Sequence, residues 1–235
     1  MLSAEDFTSL AKESILFADL SFDEADSLCR RATEKSFNPN ETLYLKGDPG
    51  GHMYVIRSGQ IKISVVSPDG KECVLNFQGA GEVNGEIALF DGGARTADAS
   101  AVTKVETLVL QQSDVQAFLA AHPTRAFQAI GELCRRLRHA SSMVEDGILF
   151  DGAARLARAL LRFADAHGQA GADSVQINLK MSQASLGAHV GLSRENVSRQ
   201  MKIWSTQGVI QHDKSVVHIL DQDHLPNIAE TILER

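Results

Sequence analysis

Gly85-Glu86-Ile87-Ala88-Leu89-Phe90-Asp91-Gly92-Gly93-Ala94-Arg95-Thr96-Ala97 brackets a glycine-rich turn with a carboxylate and a guanidinium. An arginine fork matches the oxygens of a phosphate, and glycines let backbone N–H groups approach them. A carboxylate repels phosphate but accepts from a sugar hydroxyl. The pair therefore implies a socket for one small molecule that carries both a phosphate and a free ribose hydroxyl.

Around this stretch, from Thr42 to about Leu110, the texture is that of short strands. Met53-Tyr54-Val55-Ile56 and Ile61-Lys62-Ile63-Ser64-Val65-Val66 are bounded by the turn residues of Gly47-Asp48-Pro49-Gly50-Gly51, Ser58-Gly59 and Ser67-Pro68-Asp69-Gly70. Regular short strands with glycine turns predict an antiparallel sandwich or barrel, interrupted by the Gly85–Thr96 segment. Before it, Ser21-Phe22-Asp23-Glu24 is a capping-box signature. It predicts a helix through about Lys35, ended by Asn38-Pro39-Asn40. After it, Ser113 is expected to cap a short helix that reaches His122-Pro123.

A long helix is expected from about Thr124 to Leu149. Its apolar positions Ile130, Leu133, Leu137, Ala140, Val144 and Gly147/Ile148 recur in steps of three and four, the spacing of a coiled-coil seam. Arg135, Arg136, Arg138 and Glu145 charge the other face. This combination favours a seam between two copies over a helix packed on its own domain.

Phe150-Asp151-Gly152 reads as a hinge into a second domain. Asp151–Leu161 is an amphipathic helix, His167–Asp173 a flexible loop and Val175–Leu179 a small strand. Ser182 is placed to cap a helix over Gln183–Val190 that Gly191 ends, and Ser193 to cap the next, Arg194–Thr206. Leu186, Val190, Leu192, Val197 and Met201 supply apolar contacts between the two, and Gly187 is small where they must approach. This is a helix-turn-helix. The second helix opens Arg194-Glu195-Asn196-Val197-Ser198-Arg199. Arginine bonds guanine O6 and N7, and glutamate accepts from cytosine N4, so the pattern suits base reading. Ser193 and Asn196 are candidates for phosphate positioning, with Ser182 in the same surface. Gly208-Val209-Ile210 and Ser215–Ile219 read as a wing hairpin with Asp213-Lys214 at its tip.

The 235-residue chain carries a formal charge of −7, which by itself argues against a polyanionic partner. Locally the balance reverses: Lys180, Arg194, Arg199 and Lys202 face only Glu195 between positions 180 and 202, a basic surface on an acidic protein. Cys29, Cys73 and Cys134 have no metal-ligand spacing and are expected to be reduced thiols. No apolar run spans a bilayer and Met1–Asp6 lacks a secretory signal, so a cytoplasmic location without membrane contact is expected.

These motifs closely resemble those of the CRP/FNR superfamily of transcription regulators, and its cyclic-AMP receptor branch in particular. The resemblance extends over essentially the whole chain and rests most specifically on the Gly-Glu-x-Ala-Leu…Arg-Thr-Ala cassette. It implies an α+β fold: an N-terminal antiparallel β-barrel or jelly roll that binds cyclic nucleotide (1–123), a long dimerisation helix (124–149) and a C-terminal winged helix-turn-helix domain (150–235). By resemblance, Arg95 and Thr96 hold the cyclic phosphate, Glu86 takes the ribose 2′-hydroxyl, and backbone at Gly85, Ile87 and Ala88 lines the pocket. Arg136 pairs with Glu86, and Ser141 reaches the base from the partner subunit. Arg194, Glu195 and Arg199 read a GTGA-type palindromic site in double-stranded DNA. The implied ligand is cyclic AMP, without a metal. The implied partners are DNA, a second copy in a homodimer, and RNA polymerase, the contact of an activator.

Two positions depart from the family pattern. Ala140 stands where a threonine helps recognise adenine, so cyclic GMP is also an expected ligand. Asn84 stands where the family usually has an apolar residue. Two other functions compete with this one. A cyclic-nucleotide phosphodiesterase needs metal ligands or an activated water. The cassette has no His/Asp cluster, and His52, His122, His139 and His189 are isolated, which disfavours an enzyme. The other alternative is a DNA-binding regulator that ignores nucleotide or uses another ligand.

Overall fold

The computed structural model describes residues 17, 20–171, 174–213, 216–221 and 223–232. They form two compact units. One comprises residues up to Val65 with Leu75–Arg138, and the other Val66–Val74 with His139–Arg235.

In the first unit, α1 (Phe22–Cys29) precedes β1 (Thr33–Phe37), β2 (Thr42–Tyr44), β3 (His52–Ser58), β4 (Ile61–Val66), β5 (Glu72–Gln78) and β6 (Val83–Asn84). Then come α2 (Glu86–Asp91), β7 (Asp98–Ala101), β8 (Val105–Gln111), α3 (Gln112–Ala121) and α4 (Pro123–Leu149), which ends in the second unit. The strands form two four-stranded sheets, β1-β8-β3-β6 and β2-β7-β4-β5. Met53, Tyr54, Val55 and Ile56 are all buried because β3 is covered on both faces. Met53 and Val55 face a cluster with Leu28, Leu108, Leu110 and Phe118, whereas Tyr54 and Ile56 face Phe37, Ile61, Ala99 and Val105. The expected antiparallel barrel is present, and α2 is the helical turn that interrupts it.

Two boundaries differ from expectation. The Ser21–Glu24 capping box forms, but α1 stops at Cys29 rather than Lys35. Thr33–Phe37 instead pairs with β8 from Thr33↔Val109 to Phe37↔Val105. It is an edge strand exposed at every residue except Phe37, so no apolar alternation marked it. Ser113 is not a cap either, because α3 already begins at Gln112. The barrel ladder runs to His52↔Gln111, and the Gln112 amide donates to the Gly51 carbonyl at 3.0 Å, so strand pairing sets the start of the helix. Pro123 opens α4 where its missing N–H is not needed.

Glu24 also accepts from Arg125 of α4, at 2.8 Å from Nη2 and 3.1 Å from Nε. The Arg125 hydrogen bonds, aided by the cap, lower its pKa from 4.5 to about 2. A depressed carboxylate contributes stability that is complete above its unfolded value and fades as pH falls through its folded value. Glu24→Gln is therefore expected to lower the melting temperature by a constant amount above pH 5. That difference should close between pH 4.5 and 2. A melting-temperature gap that stays constant down to pH 2 would show that the ionised carboxylate is not its source.

In the second unit, Asp151 caps α5 (Gly152–His167) by accepting from the Ala154 amide at 2.7 Å. The buried Asp146 near the end of α4 is held by Arg158 and Arg162 of α5, each at 2.6 Å. The remaining elements are β9 (Gly168–Ala170), β10 (Val175–Ile177), α6 (Gln183–Val190), α7 (Arg194–Thr206), β11 (Ile210–Asp213), β12 (Val216–Ile219) and α8 (His224–Ala229). The sheet order is β11-β12-β10-β9. The segment expected to be a flexible loop after His167 instead begins with β9, which pairs with β10. Glycine and polar residues hid an exposed edge strand there. Ala172 and Asp173 of that segment, and Lys214 and Ser215 of the expected wing tip, lie outside the described residues. So do most of the residues before α1.

Candidate ligand and nucleic-acid sites

The first candidate site lies where β6 turns into α2. Gly85 makes that turn at φ +85°, in the left-handed region open to glycine. A Cβ there would sit 2.1 Å from Arg95 Nη1, so the same glycine makes room for the guanidinium. Arg95 is only 3% exposed. Its Nη1 donates to the Gly85 carbonyl at 2.8 Å and its Nη2 to the His52 carbonyl at 2.7 Å. Its Cζ lies 4.3 Å from the centre of the Tyr44 ring, a cation–π contact. Its buried Nε has no hydrogen-bond partner among the described residues.

Glu86, 1% exposed, is tied to Arg136 of α4 at 2.9 Å through Oε1. Its buried Oε2 has no hydrogen-bond partner among the described residues. Burial pushes its pKa up, and Arg136 opposes that shift. Arg136 also donates to the Val83 carbonyl and to Glu132. Burial raises the pKa of Glu132, but the hydrogen bonds and charges of Arg135 and Arg136 outweigh it, and the net shift is downward.

The structure thus brings Gly85, Glu86, Arg95 and Arg136 together. Ala88 is buried beside them on α2, while Ile87 and Thr96 are exposed. Ser141 is exposed on α4, in the second unit. Four residues that sequence reasoning did not select also belong to this neighbourhood: Tyr44, His52, Tyr54 and Gln78. Asn84, noted for its polarity, is 2% exposed and accepts from the Tyr44 hydroxyl at 2.6 Å. It donates to Gln78 Oε1 at 2.8 Å. Tyr44 is 40 positions from Asn84, and no local pattern announces the contact.

The second candidate site is the α6–α7 pair. Ser182 accepts from the Ser185 amide at 3.0 Å and Ser193 from the Asn196 amide at 3.2 Å, so both expected caps form. Gly191 ends α6 at φ +70°. A Cβ on Gly187 would lie 2.5 Å from the Leu192 carbonyl, so the tight corner requires glycine. Leu186, Val190, Val197, Met201 and Trp204 are buried beneath the pair. Arg194, Glu195, Asn196 and Arg199 are exposed together on the first turns of α7. Arg199 Nη2 donates to Asn196 Oδ1 at 2.9 Å, which ties the guanidinium to the exposed first turns of the helix. Hydrogen bonds from its own backbone and from Ser193 keep Glu195 below the usual carboxylate range, hence an acceptor. His189 is instead a packing residue: burial pushes it down to about 4, and its ring lies 5.1 Å from that of Phe163.

No group of three or more His, Cys, Asp or Glu among the described residues is placed to hold a metal. No helix among them is long and apolar enough to cross a membrane.

The two sites define a class of protein in which a small-molecule pocket is joined to a DNA-reading domain. Family models agree: the cyclic nucleotide-binding domain matches residues 34–122, and the Crp-like helix-turn-helix domain matches residues 154–228. The cAMP-activated global transcriptional regulator CRP of Haemophilus influenzae is 31% identical over 179 residues, covering 75% of this chain and 79% of that protein. The CRP-like cAMP-activated global transcriptional regulator of Mycobacterium tuberculosis is 29% identical over 203 residues, 86% of this chain and 91% of that one. Among solved structures, FixK2 from Bradyrhizobium japonicum superposes with a TM-score of 0.76 at 23% identity, over 85% of this chain and 98% of that chain. The chain belongs to the CRP/FNR family of transcription regulators. It is a cyclic-nucleotide-responsive DNA-binding regulator.

Proposed function

We propose that this protein is a homodimeric regulator that responds to cyclic AMP, with cyclic GMP as a competing ligand, and reads a GTGA-type palindrome. The observation that carries the ligand reading is the pair of buried, unpartnered atoms, Arg95 Nε and Glu86 Oε2. A buried polar atom without a partner is costly, and a ligand that satisfies it recovers that cost. An N–H without an acceptor fits a phosphate oxygen. A carboxylate oxygen without a donor fits a sugar hydroxyl. A cyclic phosphodiester carries one negative charge, matched by the single guanidinium, and leaves the ribose 2′-hydroxyl free for Glu86.

In this reading Arg95 and Thr96 take the phosphate, and the backbone of Gly85, Ile87 and Ala88 lines the pocket. Ser141 reaches the base from the partner copy. Ala140 provides no hydroxyl to select adenine. When Glu86 Oε2 is engaged, the grip of Oε1 on Arg136 changes, and α4 receives the signal. The exposed Phe127, Ile130, Leu137, Val144 and Ile148 of α4 form the seam with the second copy. One setting of the seam brings two α7 helices about 34 Å apart, one DNA turn. The nucleotide shifts the balance only by its preference for that setting. Functionally the chain divides into 1–123 for ligand, 124–149 for dimerisation and 150–235 for DNA.

Fluorescence anisotropy with a labelled palindrome, titrated without nucleotide and with cyclic AMP or cyclic GMP, tests this. Cyclic AMP is expected to tighten binding. Arg199→Ala should cost about 1–3 kcal/mol and relax preference at one base pair. Equal affinity with and without either nucleotide would refute the ligand role. Uniform weakening on all sequences would make Arg199 a phosphate contact.

A further inference from the structure

We propose that Tyr44 is a positioning residue for Arg95, held by Asn84 and Gln78, so that one buried polar chain sets the phosphate-facing guanidinium. This rests on the assignment of Arg95 to the nucleotide phosphate. Two carbonyls fix the Nη1 and Nη2 corners of Arg95. They leave the guanidinium plane free to roll about the line between those corners. The Tyr44 ring, 4.3 Å from Cζ, removes that freedom.

The tilt of the ring is itself fixed. Its hydroxyl donates to Asn84 Oδ1, Asn84 Nδ2 donates to Gln78 Oε1, and Gln78 Nε2 donates to the Val83 carbonyl, at 2.6, 2.8 and 2.9 Å. Each hydrogen bond runs in the same direction, and the chain ends on a carbonyl that also accepts from Arg136. Tyr54 stacks on Tyr44, with ring centres 6.1 Å apart and planes 19° from parallel. Burial pushes the Tyr44 hydroxyl up to about 12, which keeps it a donor. The polar Asn84 thus has a role: it orients the ring that aims Arg95.

The test uses the full chain and three ligands in isothermal titration calorimetry: cyclic AMP and its two phosphorothioate diastereomers, in which sulfur replaces one or the other exocyclic oxygen. A fixed guanidinium donates to one of those oxygens and distinguishes the diastereomers; a rolling one does not. Tyr44→Phe keeps the ring but not the hydroxyl. It is expected to weaken cyclic AMP about threefold to tenfold and to move the diastereomer ratio towards one. Tyr44→Leu, without a ring face, should move it further. In Tyr44→Phe combined with Asn84→Leu and Gln78→Leu the whole polar chain is gone and the Val83 carbonyl keeps Arg136 as donor, so the melting temperature should recover while the ratio stays near one. A purely structural role predicts equal loss for all three ligands at an unchanged ratio, and that result would overturn the proposal alone. Absence of cyclic AMP binding by the unaltered protein would overturn the site assignment and this proposal with it.

Discussion

Arg95→Leu is expected to weaken cyclic-nucleotide binding about tenfold to a hundred-and-fiftyfold, the loss of the one charge-assisted hydrogen bond that Nε has free to donate, at about 1.5–3 kcal/mol. Leucine fills much of the same apolar space, so the chain still folds, with a lower melting temperature because the Gly85 and His52 carbonyls lose their donors. Arg95→Lys separates charge from shape: it keeps a cation without the planar fork, and intermediate affinity is expected. Calorimetry measures the affinity. NMR titration of His52 provides a check inside the protein, because burial first and the Arg95 charge second hold its pKa below 6.5. In Arg95→Leu that pKa should rise. Normal nucleotide binding by Arg95→Leu with His52 shifted would show that the ligand binds elsewhere.

Leu137→Glu is expected to break the dimer and to reduce affinity for a palindromic site by about 10²–10⁴-fold, the gain that tethering two modules normally supplies. Leu137 is 68% exposed on α4, with Ile130 one heptad before it and Val144 one heptad after it. A carboxylate at the centre of that row faces its counterpart across the seam, where burial disfavours it twice. Sedimentation velocity should show the monomer, while each chain retains the phosphate and ribose contacts of Arg95 and Glu86 and loses only the Ser141 contact from the partner copy. If Leu137→Glu remains dimeric with full operator affinity, the seam lies on another face.

The parts of this molecule that were legible in its sequence are those fixed by local chemistry. Ser182, Gly191 and Ser193 mark helix ends because caps and left-handed turns depend on one or two residues, and α6 and α7 have the expected bounds. That Gly85 and Arg95 meet was legible because they flank one short turn, and the structure joins them at 2.8 Å. What could not be read depends on distant partners. β1 is a strand because β8 is beside it, and its own residues are mostly polar. The start of α3 is set by Gly51, and the short strand β9 by β10. Tyr44 meets Asn84 across 40 positions, so the identity of either residue says nothing about the other until the sheets are assembled.

Trp204 is the single tryptophan of the chain and is buried in α7, whereas Arg194 and Arg199 of the same helix are exposed. Its indole emission therefore arises from one place, the inner packing of the DNA-reading helix. A shielded indole emits at shorter wavelength than a hydrated one, so any loosening of that helix appears as a red shift without an added label. The chain contains its own optical gauge for the second helix of its helix-turn-helix.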